Sequence, residues 1–329
     1  MKKFLVLTLA AAFVVSLGMM PATATAAGYK LKIGGGPTGG TFNTWANGAA
    51  VYIPKVNADI KASAVGSGGS VENVKRVNSG ESTIGLCYAV DSGLGFAGKL
   101  PKDNNKYDKI RSMGYLYGAP AQLVVRADNG YKSAMDLVGK RVAVGNAGSG
   151  AAASAERFFR HIGVWDKFKP TFLGYSAAAS AFKDNKLDAF WVLVGYPNRS
   201  IIEASVQVKV NLINVDADAV KTGFYKAYAY SPTTIPENTY YKGMPPCQTF
   251  QDSTILTTNK DVPEDLVYKI MKTLWSSKGM EAMVTAKKTF KAMTLQNNFR
   301  GASVPLHKGA YKFWTEQGIK IPDNLKPID

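Results

Sequence analysis

The sequence predicts an α/β protein of two similar lobes, each built on a parallel or mixed sheet flanked by helices and joined to the other by crossing strands. Three observations predict it. Strand-like and helix-like stretches alternate from Tyr29 to Gly195. They group into two successive βαβαβ units, and such units imply parallel pairing with right-handed crossovers. The stretch after residue 250 holds one strand followed mostly by helix, with no further βαβ unit. It must therefore return to pack on a lobe already built.

The elements follow in order. Tyr29 to Ile33 is a strand, and Thr41 to Lys55 a helix with Phe42, Trp45, Ala46, Ala49 and Ile53 on one face. Ile60 to Val65 is the next strand. Ser70 is placed to cap a helix whose apolar side is Val71, Val74 and Val77, and Thr83 to Val90 is a third strand. The second unit opens with the strand 121–128 and a short helix capped by Ser133. Then come the strand RVAVG, the helix AAASAERFFRHIG, the strand TFLGY and a helix capped by Ser176. Asp188 to Gly195 is a near-continuous apolar strand, as a buried parallel sheet requires. Thr233 to Phe250 is rich in Pro, Tyr and Gly and reads as loop. Strands near 121–127 and 253–258 then cross between lobes as a hinge. The expected organisation is residues 27–123 and 251–329 in one lobe and 124–250 in the other.

The N-terminus reads as an export signal. Lys2 and Lys3 form a basic start, Phe4 to Met20 an apolar run, and Ala24-Thr25-Ala26 a small-residue cleavage site, so residues 1–26 are expected to be removed. No Cys lies near the cut to carry a lipid. No other stretch is apolar and long enough to span a bilayer. The mature chain is expected in the periplasm as a soluble monomer. Formal net charge is +16, and +14 once Lys2 and Lys3 leave. The lysines are scattered, with no basic helix and no aromatic–basic interleaving. The charge is therefore a solvated surface with a bias toward an anionic small molecule, not a nucleic-acid footprint.

Chemistry is sparse. The two cysteines, Cys87 and Cys247, are far apart, and Cys87 sits in the apolar stretch IGLCYAV, so free buried thiols are expected. The two histidines, His161 and His307, have no second ligand at metal spacing. No nucleophile–base pair falls in any loop at a strand end. Neither catalysis, nor a metal, nor a cofactor is expected.

One motif argues otherwise at first sight. In IGGGPTGGTF, residues Gly34, Gly36 and Gly39 spell the G-x-G-x-x-G of a dinucleotide loop. Yet the distant acid, Asp59, precedes its strand where the dinucleotide design needs it at the strand's end. Pro37 also removes a backbone donor. And this loop is one of three Gly/Ser loops between a strand and a helix, with 66–70 and 146–151. All three fall at the carboxyl ends of parallel strands, where open α/β sheets bind ligands, and helix N-termini there attract anions.

IGGGPTGGTF, GSGGSVENVKRVNSGE, LVVRADNGYKSAMDLVGKRVAVGNAGSGAA, FKDNKLDAFWVLVGYP and VPLHKGAYKFWTEQG, in this order, resemble the TAXI family of solute receptors for tripartite ATP-independent periplasmic (TRAP) transporters. The resemblance implies a two-lobed periplasmic binding protein of the type II kind with a hinge. It also implies that the chain captures a small anionic solute, such as a dicarboxylate, glutamate or a keto acid, and delivers it to a membrane permease. Carried over residue by residue, it implies ligand contacts at Gly39, Gly40, Thr41, Phe42 and Ser70 in the first lobe. Tyr88 stands where the family often has Gln, and a phenol there puts amino-acid specificity in question. Ser149, Gly150 and Ala151 follow from the second lobe, with Ala151 where Thr is common, and Val194 and Gly195 end the inner strand. A sensory protein signalling to a membrane kinase, or an enzyme on the same fold, would share these lobes.

Overall fold

The computed structural model describes residues 28–328, so the expected signal segment, residues 1–26, lies outside the described residues. The first unit runs β1 (Tyr29–Gly34), α1 (Thr41–Val56), β2 (Ile60–Val65), α2 (Ser70–Asn78), β3 (Ile84–Tyr88) and α3 (Ala89–Phe96). The long β4 (Ile110–Arg126) leads into β5 (Arg141–Ala143), α4 (Gly150–His161), β6 (Lys169–Thr171), α5 (Tyr175–Lys183), β7 (Ala189–Leu193), α6 (Arg199–Gln207) and β8 (Val210–Ile213). After α7 (Asp216–Thr222), α8 (Phe224–Ala227) and β9 (Ser231–Ile235), the chain returns through β10 (Cys247–Asn259) to α9 (Glu264–Leu274), α10 (Ser277–Ala286) and α11 (Lys308–Glu316).

The strands form one curled sheet in the order β2-β1-β3-β10-β4-β7-β5-β6, with β8 on β4 and β9 on β10. Within each half the short strands are parallel: β1 with β2 and β3, and β5 with β6 and β7. The two long strands run antiparallel to their neighbours and pass from one half to the other. β4 pairs with β10 up to Pro120 and with β7 from Ala121, and β10 exchanges β9 for β4 at Gln251. The Thr249 hydroxyl donates to the Ala121 carbonyl (2.7 Å), tying the two passes together where they cross. The first crossing falls at the start of the 121–127 stretch that the sequence suggests, and the second, at Gln251, just before 253–258.

Other elements differ from the sequence expectation for physical reasons. α3 is absent from that reading because it contains Gly93 and Gly95, poor helix formers. Tertiary packing holds it: a Cβ at Gly95 would stand 2.8 Å from Val74 Cγ1. β9 hides behind Pro232, which a strand tolerates only at an edge, and β9 pairs with β10 alone. The segment after Ser133 is a 3-10 turn closed by a capping box between Ser133 and Asp136. Ser70 and Ser176 cap nothing: α2 and α5 start from Gly69 and Gly174, and neither has a side-chain cap.

The C-terminal helices cover the first half. α9 buries Leu266, Val267, Ile270, Met271 and Leu274 at helical spacing. Around it Asn57 donates to Thr273 (2.9 Å), Tyr29 to Asp265 (2.8 Å), and Lys269 pairs with Asp59 at the surface. Burying each large aliphatic side chain contributes roughly 1.5–3 kcal/mol. Trp314 of α11 is fully buried, and its indole N–H donates to the Met113 carbonyl (2.8 Å). One apolar core continues through both halves, from Leu31 and Trp45 to Phe158, Trp191 and Phe250. Cys87 and Cys247 are both buried and unpaired, and burial pushes each thiol up to about 12.

Candidate functional site

Between the two halves, at the carboxyl ends of the parallel strands, lies a cavity of about 40 Å³. From the first half come Pro37, Gly40, Thr41, Phe42, Gly68, Gly69, Ser70 and Tyr88; from the second come Asn146, Ser149, Gly150, Ala151, Gly174, Tyr175 and Val194. By the same measure a water needs roughly 10–15 Å³, so the space holds about three.

The lining follows from chain direction. Each parallel strand ends in a short Gly/Ser loop, and the following helix starts at the cavity. The first residues of α1, α2, α4 and α5, namely Thr41, Ser70, Gly150 and Tyr175, all line it. Four positive dipole ends thus converge on one small space. The first turns of α1, α4 and α5 hold no acidic residue. α2 does carry Glu72, but its carboxylate accepts from the Gly68 N–H (2.6 Å) and pairs with Arg76. Asn73, next to it, is buried and donates to the carbonyls of Gly35 (2.6 Å) and Leu86 (2.8 Å). In the S-V-E-N stretch, Glu72 and Asn73 therefore hold the loops while Ser70 lines the cavity.

The structure brings together Gly40, Thr41, Phe42, Ser70, Tyr88, Ser149, Gly150, Ala151 and Val194. Gly39 and Gly195, which the sequence places with them, lie outside the lining. Gly39 is a left-handed turn residue (φ 82°) whose open side faces Ser176. Gly195 packs toward Tyr117 and Thr289, behind the cavity. Ser149 is the N-cap of α4, its Oγ accepting from the Ala152 N–H (3.0 Å). The Ser70 Oγ accepts from the Tyr88 N–H (2.8 Å), fixing the start of α2 to the end of β3.

Tyr88 spans the cleft. Its ring packs on Phe42, with centroids 4.9 Å apart, and its hydroxyl donates to the Leu193 carbonyl on the opposite half. The Tyr175 hydroxyl donates to the same carbonyl (3.0 Å). Burial holds both phenols well above the ordinary tyrosine value, so they stay neutral donors.

Contact across the cleft is tight. A Cβ at Gly150 would stand 2.4 Å from Tyr88 Cδ2, 2.6 Å from Asp91 Oδ2 and 2.8 Å from Ser70 Cβ. Only glycine lets α4 approach the first half this closely. Tyr175 and the loop residue Gly174 are not among the sequence-predicted contacts, because Ser176 marks the helix start one residue late. Nor is Lys287, whose ammonium donates to the Thr41 hydroxyl (3.0 Å) from 246 residues away. Among the described residues, no cationic side chain lines the cavity itself. Arg126 stacks on Phe182 and donates to its carbonyl.

Solved structures share this architecture. MatC from Rhodopseudomonas palustris with bound malate aligns with a TM-score of 0.54 at 16% identity, covering 88% of this chain and 97% of that one. A structure described as a periplasmic transporter aligns at 0.51 and 14% identity, over 88% of this chain and 92% of that one. The fold is that of the two-lobed periplasmic binding proteins. The NMT1-like family model matches residues 33–318, and the chain belongs to that family.

Proposed function

We propose that this chain is the solute receptor of a membrane transporter and that it captures a small carboxylate in the cleft between its lobes. The observation that carries this reading is the convergence of four helix N-termini, three without an acid in the first turn, on a space of about 40 Å³. Such ends supply N–H donors and positive potential to an anion without any lining cation. The small space favours an acid of a few carbons over a sugar or peptide. That MatC, of like fold, was solved with malate fits the same ligand class.

The finer reading follows the motifs. The chain is a TAXI-type receptor exported to the periplasm, working as a monomer, and it delivers its solute to the permease of a TRAP transporter. Residues 27–123 with 251–329 form one lobe and 124–250 the other, hinged where β4 and β10 cross. The solute touches Thr41, Ser70 and Tyr88 on one side and Ser149, Gly150 and Ala151 on the other. A thermal-shift screen over pyruvate, L-lactate, L-malate, 2-oxoglutarate and L-glutamate, each beside its amide, tests the class. A rise in melting temperature with an acid and not its amide supports it. Stabilisation only by neutral solutes would sink it.

A further inference from the structure

Lys287 follows α10, and its backbone N–H closes that helix on the Met283 carbonyl. Its side chain turns inward toward Thr41. The Thr41 side chain is fully buried, and Thr41 opens α1 at the cavity. Among the described residues no carboxylate pairs with Lys287, and the Thr41 oxygen, 3.0 Å away, is the partner the structure gives its ammonium. A half-buried ammonium on one neutral oxygen is poorly compensated. A methionine of similar length would fill the space without that cost, so packing alone does not account for a lysine here.

The direction of the bond matters. An ammonium carries donors only, so the Thr41 oxygen must accept from it. The Thr41 hydroxyl proton is then left to donate to the neighbouring Tyr117 oxygen or, since Thr41 lines the cavity, to a group bound there. Arg157, across the cleft, already pairs with Asp91.

We infer that Lys287 sets the cleft's selectivity for anions, polarising the Thr41 hydroxyl that donates to a bound carboxylate and supplying the positive charge behind it. Lys287 is a positioning residue, since it reaches the solute through Thr41. Burial lowers its proton affinity below that of an ordinary lysine, as expected for a cation whose counter-charge arrives with the ligand. The inference rests on the carboxylate reading above and deepens it.

Calorimetric titration of wild type, K287M and K287Q with pyruvate, L-lactate and L-malate, and with pyruvamide, lactamide and malamide, tests it. Both variants should bind the tightest acid about 10- to 100-fold more weakly, the span of a hydrogen bond to a charged group. Their affinity for the amide should match wild type, and their melting temperature without ligand should be equal or higher. Two variants guard against a folding defect peculiar to one. Acid binding unchanged in a folded variant, or acid and amide weakened alike, overturns the inference while the carboxylate reading stands. A wild type that binds only the amides removes the carboxylate reading and this inference with it.

Discussion

Arg157 of α4 and Asp91 of α3 form an ion pair of 2.7 Å across the two lobes, with both side chains almost wholly buried. The Arg157 Nε–H also donates to the Tyr230 hydroxyl (2.9 Å). The pair lies behind Gly150, whose missing Cβ leaves room for Asp91, so the closest approach of the lobes and this charge contact occur together. In this arrangement the two charges neutralise each other out of water.

Replacing only Arg157 by Met strands the Asp91 carboxylate. We expect a loss of about 3–5 kcal/mol, the range for breaking a buried pair. The double variant R157M/D91L should recover most of it, because apolar replacement of both partners is often neutral. Urea unfolding of the three proteins measures this. A single variant as stable as wild type would mean that the pair is water-exposed in solution.

Asp252 lies on β10 beside this pair. Burial first, and then the nearby Asp91 charge, hold its carboxyl well above the ordinary value of 3.8, with Arg157 opposing. Its Oδ1 accepts from the Val90 N–H (3.3 Å). A native-state value above the unfolded one means the folded protein binds the extra proton. Stability from this group is then full below the ordinary carboxylate value and is lost as pH rises toward the raised one. Asp252→Asn mimics the protonated form, so its melting temperature should fall less between pH 5 and pH 8 than that of wild type. Parallel curves would show that Asp252 is ionised in the folded protein.

Ser149 has two tasks that separate on measurement. As the N-cap of α4, its replacement by Ala should reduce stability by about 1 kcal/mol. If Ser149 also contacts the solute as proposed, the same change should weaken binding by about 1–2 kcal/mol. Thr41→Ala should weaken binding similarly from the other lobe, with no cap to lose, since α1 starts at Gly40 without a side-chain cap. Equal affinity in both variants, by calorimetry, would leave these loops as turns only.

Gly150→Ala tests motion. The added Cβ would fall within 2.8 Å of Tyr88, Asp91 and Ser70, so the lobes must part to admit it. The chain crosses between lobes at β4 and β10, and if these crossings act as the proposed hinge, rotation about a few residues there would open the cleft. Small-angle scattering should give a larger radius of gyration for G150A than for wild type, and no contraction on adding the solute that contracts wild type. Identical curves for both proteins would mean that the hinge reading fails.

Much of this protein is written in local pattern. Period-3.6 apolar faces, such as Trp45, Ala49 and Ile53, and continuous apolar runs such as 189–194 specify helices and buried parallel strands without reference to the rest of the chain. The Gly/Ser loops mark strand-to-helix turns, and their order alone puts helix N-termini at one edge of the sheet. Nine of the proposed contact residues, from Gly40 to Val194, line the cavity for that reason. Tertiary structure decided what local pattern has no means to encode. α3 exists because Gly95 fits against Val74, and β9 because β10 offers an edge. Gly195 turns away from the cavity because Tyr117 and Thr289 take it in. Lys287 meets Thr41, and Arg157 meets Asp91, only when the returning helices and the second lobe close on the first. No spacing along the chain announces a contact between residues that distant. The burial that makes a charge matter is a property of the assembled core, not of the residue.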